Sequence, residues 1–364
     1  MPIPILGVAA AATAIFGAAK MSESSGNNKK ARKLQEEAKA MYDAKETALE
    51  NQKAQTKNKL ESLGERKLRS FKDDIGRFLE IYRDFTNVEL GSTVVLDAHL
   101  LGNLNQPEAL QDMEVAAFRA TEILQAGAGA LGAGALAGIA SYGGTMMLAS
   151  ASTGTAISAL SGAAATNATL AWLGGGALTS GFGALGVTGG MAVLGGVVLA
   201  PVLAVAGLVK CSKSKENLAQ ARKIYAEAEK AVAEMDLLIS KLQSIDNLAT
   251  IDYTFIDLVA YRFQQLISMM EQVRDSARVV QGASFINKLK TLLGRKFDID
   301  YLKLEENQKQ VLHLNCLMAQ ILFKALSTPL LTEDGAIERN AENTFRELRN
   351  SYEQLNGFET RLLH

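Results

Sequence analysis

Two side chains of metal-binding type stand three positions apart in a stretch with helical periodicity. His313 and Cys316 would share one helix face, a spacing that can hold a transition metal. A zinc site needs three or four ligands, however, and the other histidines, His99 and His364, supply no second pair. The pattern therefore favours packed helix residues, and we predict no metal site.

The other groups that could act chemically are scattered along the chain. Asp298 and Asp300 in the sequence FDIDY are neighbouring carboxylates, but acids of a loop explain them equally well. Cys211 follows an apolar segment and stands beside lysines, where acylation is one alternative and an ordinary position next to a membrane is the one we favour. No Ser/His/Asp or Cys/His set accompanies them. We predict that the protein is not an enzyme and has no catalytic residues.

Glycine spacing gives two matches to the dinucleotide-binding fingerprint GxGxxG. They begin at Gly127 and at Gly181. The chemistry also needs a preceding strand, a following helix and an acid about 20 residues further on for the ribose. The first acid after either match is Glu216, and glycines are dense enough here to match by chance. We predict no bound cofactor.

Charge and cysteine content exclude further classes. The 38 Lys and Arg residues balance 39 Asp and Glu residues, so no basic field attracts nucleic acid. Two cysteines cannot form a disulfide framework and fit a reducing compartment. Residues 1–19 are apolar, but their lysines follow rather than precede them, the reverse of a secretory signal. We expect synthesis in the cytoplasm without cleavage, and whether 1–19 spans a bilayer stays open.

Charged residues are confined to two arms that flank an uncharged centre. In both arms apolar residues recur at alternating intervals of three and four, which predicts coiled-coil seams. We expect an all-α fold, a long antiparallel coiled-coil or helical bundle in which 68–85 pairs with 218–242. The seam residues are Leu68, Phe71, Ile75, Phe78 and Tyr82 in the first arm, and Leu218, Tyr225, Val232 and Ile239 in the second.

Helix boundaries in the arms can be placed at several residues. Pro107 stands where a helix would begin and Pro329 where one would stop. Asp246-Asn247 is either a tight turn or a skip within one long helix. A final helix is expected with apolar positions from Ile337 to Leu355.

The centre, residues 123–209, is 87 residues long, lacks Asp, Glu, Lys, Arg and His, and contains 20 of the 31 glycines. A soluble core would have to hide every face of several helices, and the chain has little material to cover them. A membrane interpretation fits 188–209 better, because 22 residues rich in Val and Leu can span a bilayer. The other segments are less apolar, so we expect a close-packing, membrane-competent hairpin whose insertion is conditional.

Small residues in the centre recur every fourth position, which predicts faces where membrane helices approach closely. These helix-packing residues are Gly134, Gly138, Gly186, Gly190, Ala192, Gly196, Ala200 and Ala204. The predicted membrane-interface anchors are Trp172, Lys210, Lys213 and Lys215. The resulting domain organisation is an apolar N-terminal segment (1–19), a coiled-coil arm (20–122), a hydrophobic glycine-zipper region (123–209) and a C-terminal helical bundle arm (210–364).

Three stretches carry a resemblance: MPIPILG at the start, SYGGTMMLASASTGTAISALSGAAATNATLAWLGGG at 141–176, and LSTPLLTEDG at 326–335. Together they resemble a widespread group of uncharacterised bacterial glycine/alanine-rich membrane proteins, which brings no established activity. In architecture the chain is also similar to α-helical pore-forming toxins of the cytolysin A and haemolysin BL type, which keep a hydrophobic element on a helical bundle and insert it on oligomerisation. Those toxins carry export signals and a much shorter hydrophobic element, so the analogy points to the cell's own membrane.

The function expected from these features is that of a membrane-inserting, self-associating helical protein that permeabilises or remodels the inner membrane of its own cell. Its partners would be the lipid bilayer and further copies of itself, with protein partners for the arms and no nucleic acid. A soluble pool would accompany the membrane-associated form, and a stress or phage-defence role would suit it. The alternative is a constitutive membrane-anchored coiled-coil scaffold that recruits protein partners.

Overall fold

The computed structural model describes residues 24–88, 107–126, 135–143, 218–283, 297–332 and 336–363, and in these residues the fold is all-α, as predicted. The helices are α1 (Ser24–Arg69), α2 (Gly76–Tyr82), α3 (Pro107–Ala126), α4 (Ala135–Tyr142), α5 (Leu218–Gly282), α6 (Glu306–Ser327) and α7 (Ala341–Leu363). A π-helical turn, Ser70–Ile75, joins α1 to α2. Two short strands, β1 (Phe85–Thr86) and β2 (Ile299–Asp300), pair in parallel, and a 3-10 turn, Tyr301–Lys303, follows β2.

Helix boundaries follow the local signals of the sequence with one exception. Helix α3 begins at Pro107, and α6 ends at Ser327, just before Pro329. Helix α5 runs through Asp246 without a break, so one long helix is correct, the tight turn is wrong, and the apolar register continues without the skip that the sequence suggested. Ile337 lies outside the last helix, contrary to the prediction, because it forms an antiparallel bridge with Leu331.

The chain divides into two compact units. The first is formed by Met1–Ala54 and Gly196–Gln243, and the second by Gln55–Gly195 and Ser244–His364. In the first unit the described residues belong to α1 and α5, and Lys45 Nζ lies 2.7 Å from Asp236 Oδ1 between them. The buried hydrophobic residues that the two helices contribute to this unit are Ala31, Ala38, Tyr42, Leu49, Ala221, Ile224, Ala228, Ala231, Met235, Leu238 and Leu242.

The stripe that α5 buries in the first unit differs from the predicted seam at alternate positions. Tyr225, Val232 and Ile239 are half-buried, and the residue before each of them is buried instead. Leu218, the first seam residue, is also half-buried. The reason is the continuity of α5. Its buried residues Val259 and Phe263 begin a series that, followed backward in unbroken steps of three and four, reaches positions 238, 231 and 224. A helix without a skip keeps a single register.

We call α1, the π-helical turn and α2 together the first helical run. In the second unit this run and α5 are parallel, and the predicted antiparallel pairing is wrong. The bonds that join them are Arg66 to Asp257, Gln264 to Asp74, and Arg77 to Glu271, with sequence separations of 191, 190 and 194. An antiparallel pair would show separations that shrink steadily along the helix. Residues 68–85 thus lie beside the part of α5 that follows residue 250, rather than beside 218–242. A short loop forces neighbouring helices to be antiparallel, whereas a connection as long as this one allows either direction.

Helices α3 and α6 of this unit pack beside that pair and run in the opposite direction. Arg83 Nε donates to Glu114 Oε1 of α3 over 3.1 Å. Asn315 Nδ2 of α6 donates to the carbonyl of Leu266 over 2.9 Å, and the core beside it includes Phe78 and Phe263, whose ring centroids are 5.7 Å apart. The unit is a helical bundle with an aromatic core.

Candidate functional site

The predicted membrane residues fall almost entirely outside the described residues. Gly138 is the exception, and it is buried inside α4. Outside the described part of the chain lie Gly134, Gly186, Gly190, Ala192, Gly196, Ala200, Ala204, Trp172, Lys210, Lys213, Lys215 and Cys211. The segment 188–209 also lies outside the described residues. None of the described helices is long and apolar enough to cross a membrane. The first-arm seam residues Leu68, Phe71, Ile75 and Phe78 are buried in the second unit.

The residues that suggested chemistry hold ordinary structural positions. Within the described ranges no three His, Cys, Asp or Glu side chains come together in a way that could hold a metal ion. Burial lowers the pKa of His313 and raises the pKa of Cys316, so neither a charged imidazole nor a reactive thiolate is favoured. Asp300 accepts a hydrogen bond from the N–H of Leu302 and so fixes the 3-10 turn.

Helix α4, which lies within the uncharged centre, is buried on every face. Residues 137–143 are consecutively buried, including the polar side chain of Ser141. A surface helix would alternate buried and exposed positions. For these residues the arrangement is the one that a soluble core requires, and α4 is held inside the second unit rather than presented to solvent.

A glycine of α1 allows α4 to approach closely. A Cβ atom on Gly64 would overlap the carbonyl oxygen of Leu136 and stand 2.6 Å from its carbonyl carbon. Real Cβ atoms do not come that close to backbone atoms, so only glycine fits this position. The contact joins α1 to the first turn of α4 backbone to backbone.

The other end of α4 is fixed by the segment that follows α6. The carbonyl of Ser141 accepts hydrogen bonds from the N–H groups of Leu330 and Leu331, over 2.8 and 2.9 Å. Carbonyls in the last turn of a helix have no partner within the helix, and these two donors satisfy one of them. Gly143 ends the helix with φ of 80°, and a Cβ there would collide with the carbonyl of Ser327.

Behind this segment lies a fully buried ion pair. Lys67 Nζ of α1 is 2.8 Å from Asp252 Oδ2 of α5, and both side chains have 0% exposure. The same Nζ donates to the carbonyl of Thr328 over 3.3 Å. Lys67 is one helical turn beyond Gly64, so a single face of α1 contacts both α4 and the segment that caps it. We call the site where Gly64 and the segment 327–331 contact α4, at Leu136, Ser141 and Gly143, the dock.

A second buried acid reinforces this part of α1 through the π-helical turn. Asp74 is buried and accepts a hydrogen bond from Gln264 Nε2 over 2.8 Å, while Arg66 donates to Ser70 Oγ over 2.7 Å. Burial raises the pKa of Asp74, and the bonds from Gln264 and Ser70 oppose that rise. These contacts hold the turn against α5 next to the dock.

Burial raises the pKa of Asp252 from 3.8 to about 6, and the field of Lys67, the charged group that acts on it among the described residues, opposes the rise.

Comparisons of the chain with protein-family models, with curated proteins and with solved structures find no match. The resemblance to the bacterial glycine/alanine-rich group, and the architectural likeness to helical pore-forming toxins, therefore stay predictions. The described site is the dock and its buried ion pair, which no motif in the sequence indicates.

Proposed function

We propose that this protein stores part of its uncharged centre on a helical bundle and releases it to insert into the membrane of its own cell, where copies self-associate and permeabilise or remodel the bilayer. The observation that carries the proposal is the dock. Helix α4 belongs to the uncharged centre and is buried on every face, yet the contacts that fix its two ends are glycine contacts and a few hydrogen bonds.

The chemistry of the dock suits reversible storage. At Gly64 and Gly143 the nearest atoms are backbone atoms, so these two contacts could be released without separating interlocked side chains. In lipid, the same small residues would favour close helix association, because backbones can approach one another there. Gly138 of α4 belongs to the set predicted to pack between membrane helices.

The experiment is release of a self-quenched dye from vesicles of phosphatidylethanolamine and phosphatidylglycerol. We expect the full-length protein to release dye after mild destabilisation with heat or low urea. Gly196→Leu, on the predicted small-residue face, should reduce release several-fold. Gly357→Leu is the matched control, because a Cβ added at this helical position would meet no atom within 4 Å. Vesicles that remain intact under every condition would exclude permeabilisation.

A membrane-anchored scaffold is the second candidate, and one observation favours it. Three large side chains on α5, Tyr253, Leu258 and Tyr261, are 36%, 42% and 68% exposed, as a partner-binding stripe would be. Alkaline carbonate washing of membranes separates the two functions. A scaffold remains wholly in the membrane fraction, whereas a protein that inserts conditionally leaves a soluble pool.

A further inference from the structure

We infer that Lys67, Asp252 and the carbonyl of Thr328 form a latch that holds α4 in the dock and keeps the docked state metastable. The inference rests on the proposed function, whose regulation it describes. The latch itself makes a narrower claim than that function, namely that two buried charges and one carbonyl determine how readily α4 leaves the helical core.

The first step of the argument is connectivity. Lys67 Nζ contacts the carbonyl of Thr328, and two residues further on the N–H groups of Leu330 and Leu331 hold the carbonyl of Ser141. Pro329 stands between them, and its ring restricts the backbone. Lys67 therefore lies against the segment that caps α4, and a buried charge left unpaired at position 67 or 252 would disturb that segment and both donors.

The second step is the cost of the pair. Transferring two charges from water into the core costs free energy, and the attraction between the charges offsets this cost only when other hydrogen bonds satisfy the remaining atoms. Asp252 Oδ1 is buried and has no hydrogen-bond partner among the described residues, so the free-energy cost of burying the pair is only partly offset. Replacing such a pair by apolar side chains is often neutral or stabilising, whereas removing one partner leaves an uncompensated buried charge. A latch made this way holds while intact and gives way when either partner is lost.

The same two helical runs carry an exposed pair that serves as the matched control. Arg77 Nη2 of α2 lies 2.7 Å from Glu271 Oε2 of α5, and both side chains are partly exposed, at 45% and 30%, in contrast to the 0% of Lys67 and Asp252. Exposed pairs contribute little to stability. The control has the same charge types and the same helical partner as Lys67 and Asp252, and it differs in burial and in distance from the dock.

The experiment is hydrogen exchange, read by mass spectrometry, of the peptides that cover 135–143 and 328–332 in the full-length protein without lipid. The variants are Lys67→Met, Asp252→Asn, the double variant Lys67→Met with Asp252→Leu, and the control double variant Arg77→Met with Glu271→Leu. We expect both single variants to exchange at least about tenfold faster than the wild type in these peptides. The apolar double variant should exchange as slowly as the wild type or more slowly, and the control should match the wild type.

The apolar double variant decides the question even if Lys67→Met unfolds the whole chain. Slow exchange in that variant, with fast exchange in Asp252→Asn, supports the latch. Exchange in the double variant that is about tenfold faster than in the wild type, or single variants that behave like the control, overturns it.

Dye release measured on the same variants separates this inference from the proposed function. A double variant that retains α4 while the wild type never permeabilises vesicles supports the latch and removes the proposed function. A wild type that permeabilises vesicles, together with a double variant that loses α4, supports the proposed function and removes the latch.

Discussion

Gly64→Ala is expected to expel α4 from the dock and to lower the free energy of unfolding by about 3 kcal/mol or more. The added Cβ would overlap the backbone carbonyl of Leu136, and backbone atoms cannot move aside as the end of a flexible side chain can. Either α4 or α1 must therefore shift. Urea unfolding gives the free energy, and hydrogen exchange over 135–143 shows whether α4 has left.

Gly76→Ala is the matched control for this change, because Gly76 lies in the same helical run. Its Cβ would meet the carbonyl oxygen of Phe71 at 3.6 Å and the Cβ of Ala117 at 3.8 Å, which are ordinary contacts. Alanine is the better helix former, so this variant should gain about 0.5–1 kcal/mol. If Gly64→Ala behaved like Gly76→Ala, the close approach of α4 to α1 would be disproved.

Phe71→Ala is expected to cost about 3–5 kcal/mol. Phe71 is fully buried in the π-helical turn, and its ring meets Phe323 of α6 edge to face, with centroids 6.0 Å apart. Truncation would remove that contact and leave a cavity where the turn, α5 and α6 meet. The shift in the midpoint of urea unfolding at constant slope measures the loss.

Phe118 supplies the comparison for this variant. It is 61% exposed on α3, so Phe118→Ala should change stability by no more than about 0.5 kcal/mol. Equal effects of the two substitutions would show that Phe71 does not belong to a packed core.

The sequence predicts the described helices well where local chemistry determines them. Pro107 and Pro329 bound their helices because proline lacks an N–H and fixes φ. The apolar steps from Leu68 to Phe78 coincide with a buried face, since a helix that packs on one side must repeat near 3.6 residues, whereas Tyr82, the last residue of that predicted seam, is half-buried.

The direction of helix pairing and the dock could not be predicted in this way. Seam spacing is the same for parallel and antiparallel neighbours, and the long connection between the arms removes the constraint that a short loop would impose. The register of α5 is different, because it can be traced in the sequence. Steps of three and four backward from Val259 pass through Asp252, so the apolar pattern itself places this acid at a core position. Helix propensity marks Gly64 only as a weak helix former, whereas its use is a backbone contact with α4.

The dock has one electrostatic consequence, which follows from the two helix ends that meet in it. Helices α4 and α6 both finish there, Gly143 beside the carbonyl of Ser327, and each C-terminus carries about half a negative charge from its aligned peptide dipoles. Like ends repel, and the ammonium of Lys67, 3.3 Å from the carbonyl of Thr328, is the cation placed to offset that repulsion. The repulsion between the two helix ends is thus offset in part by one buried cation that is itself paired with Asp252, and dissolved salt, which screens exposed charges, has little access to it.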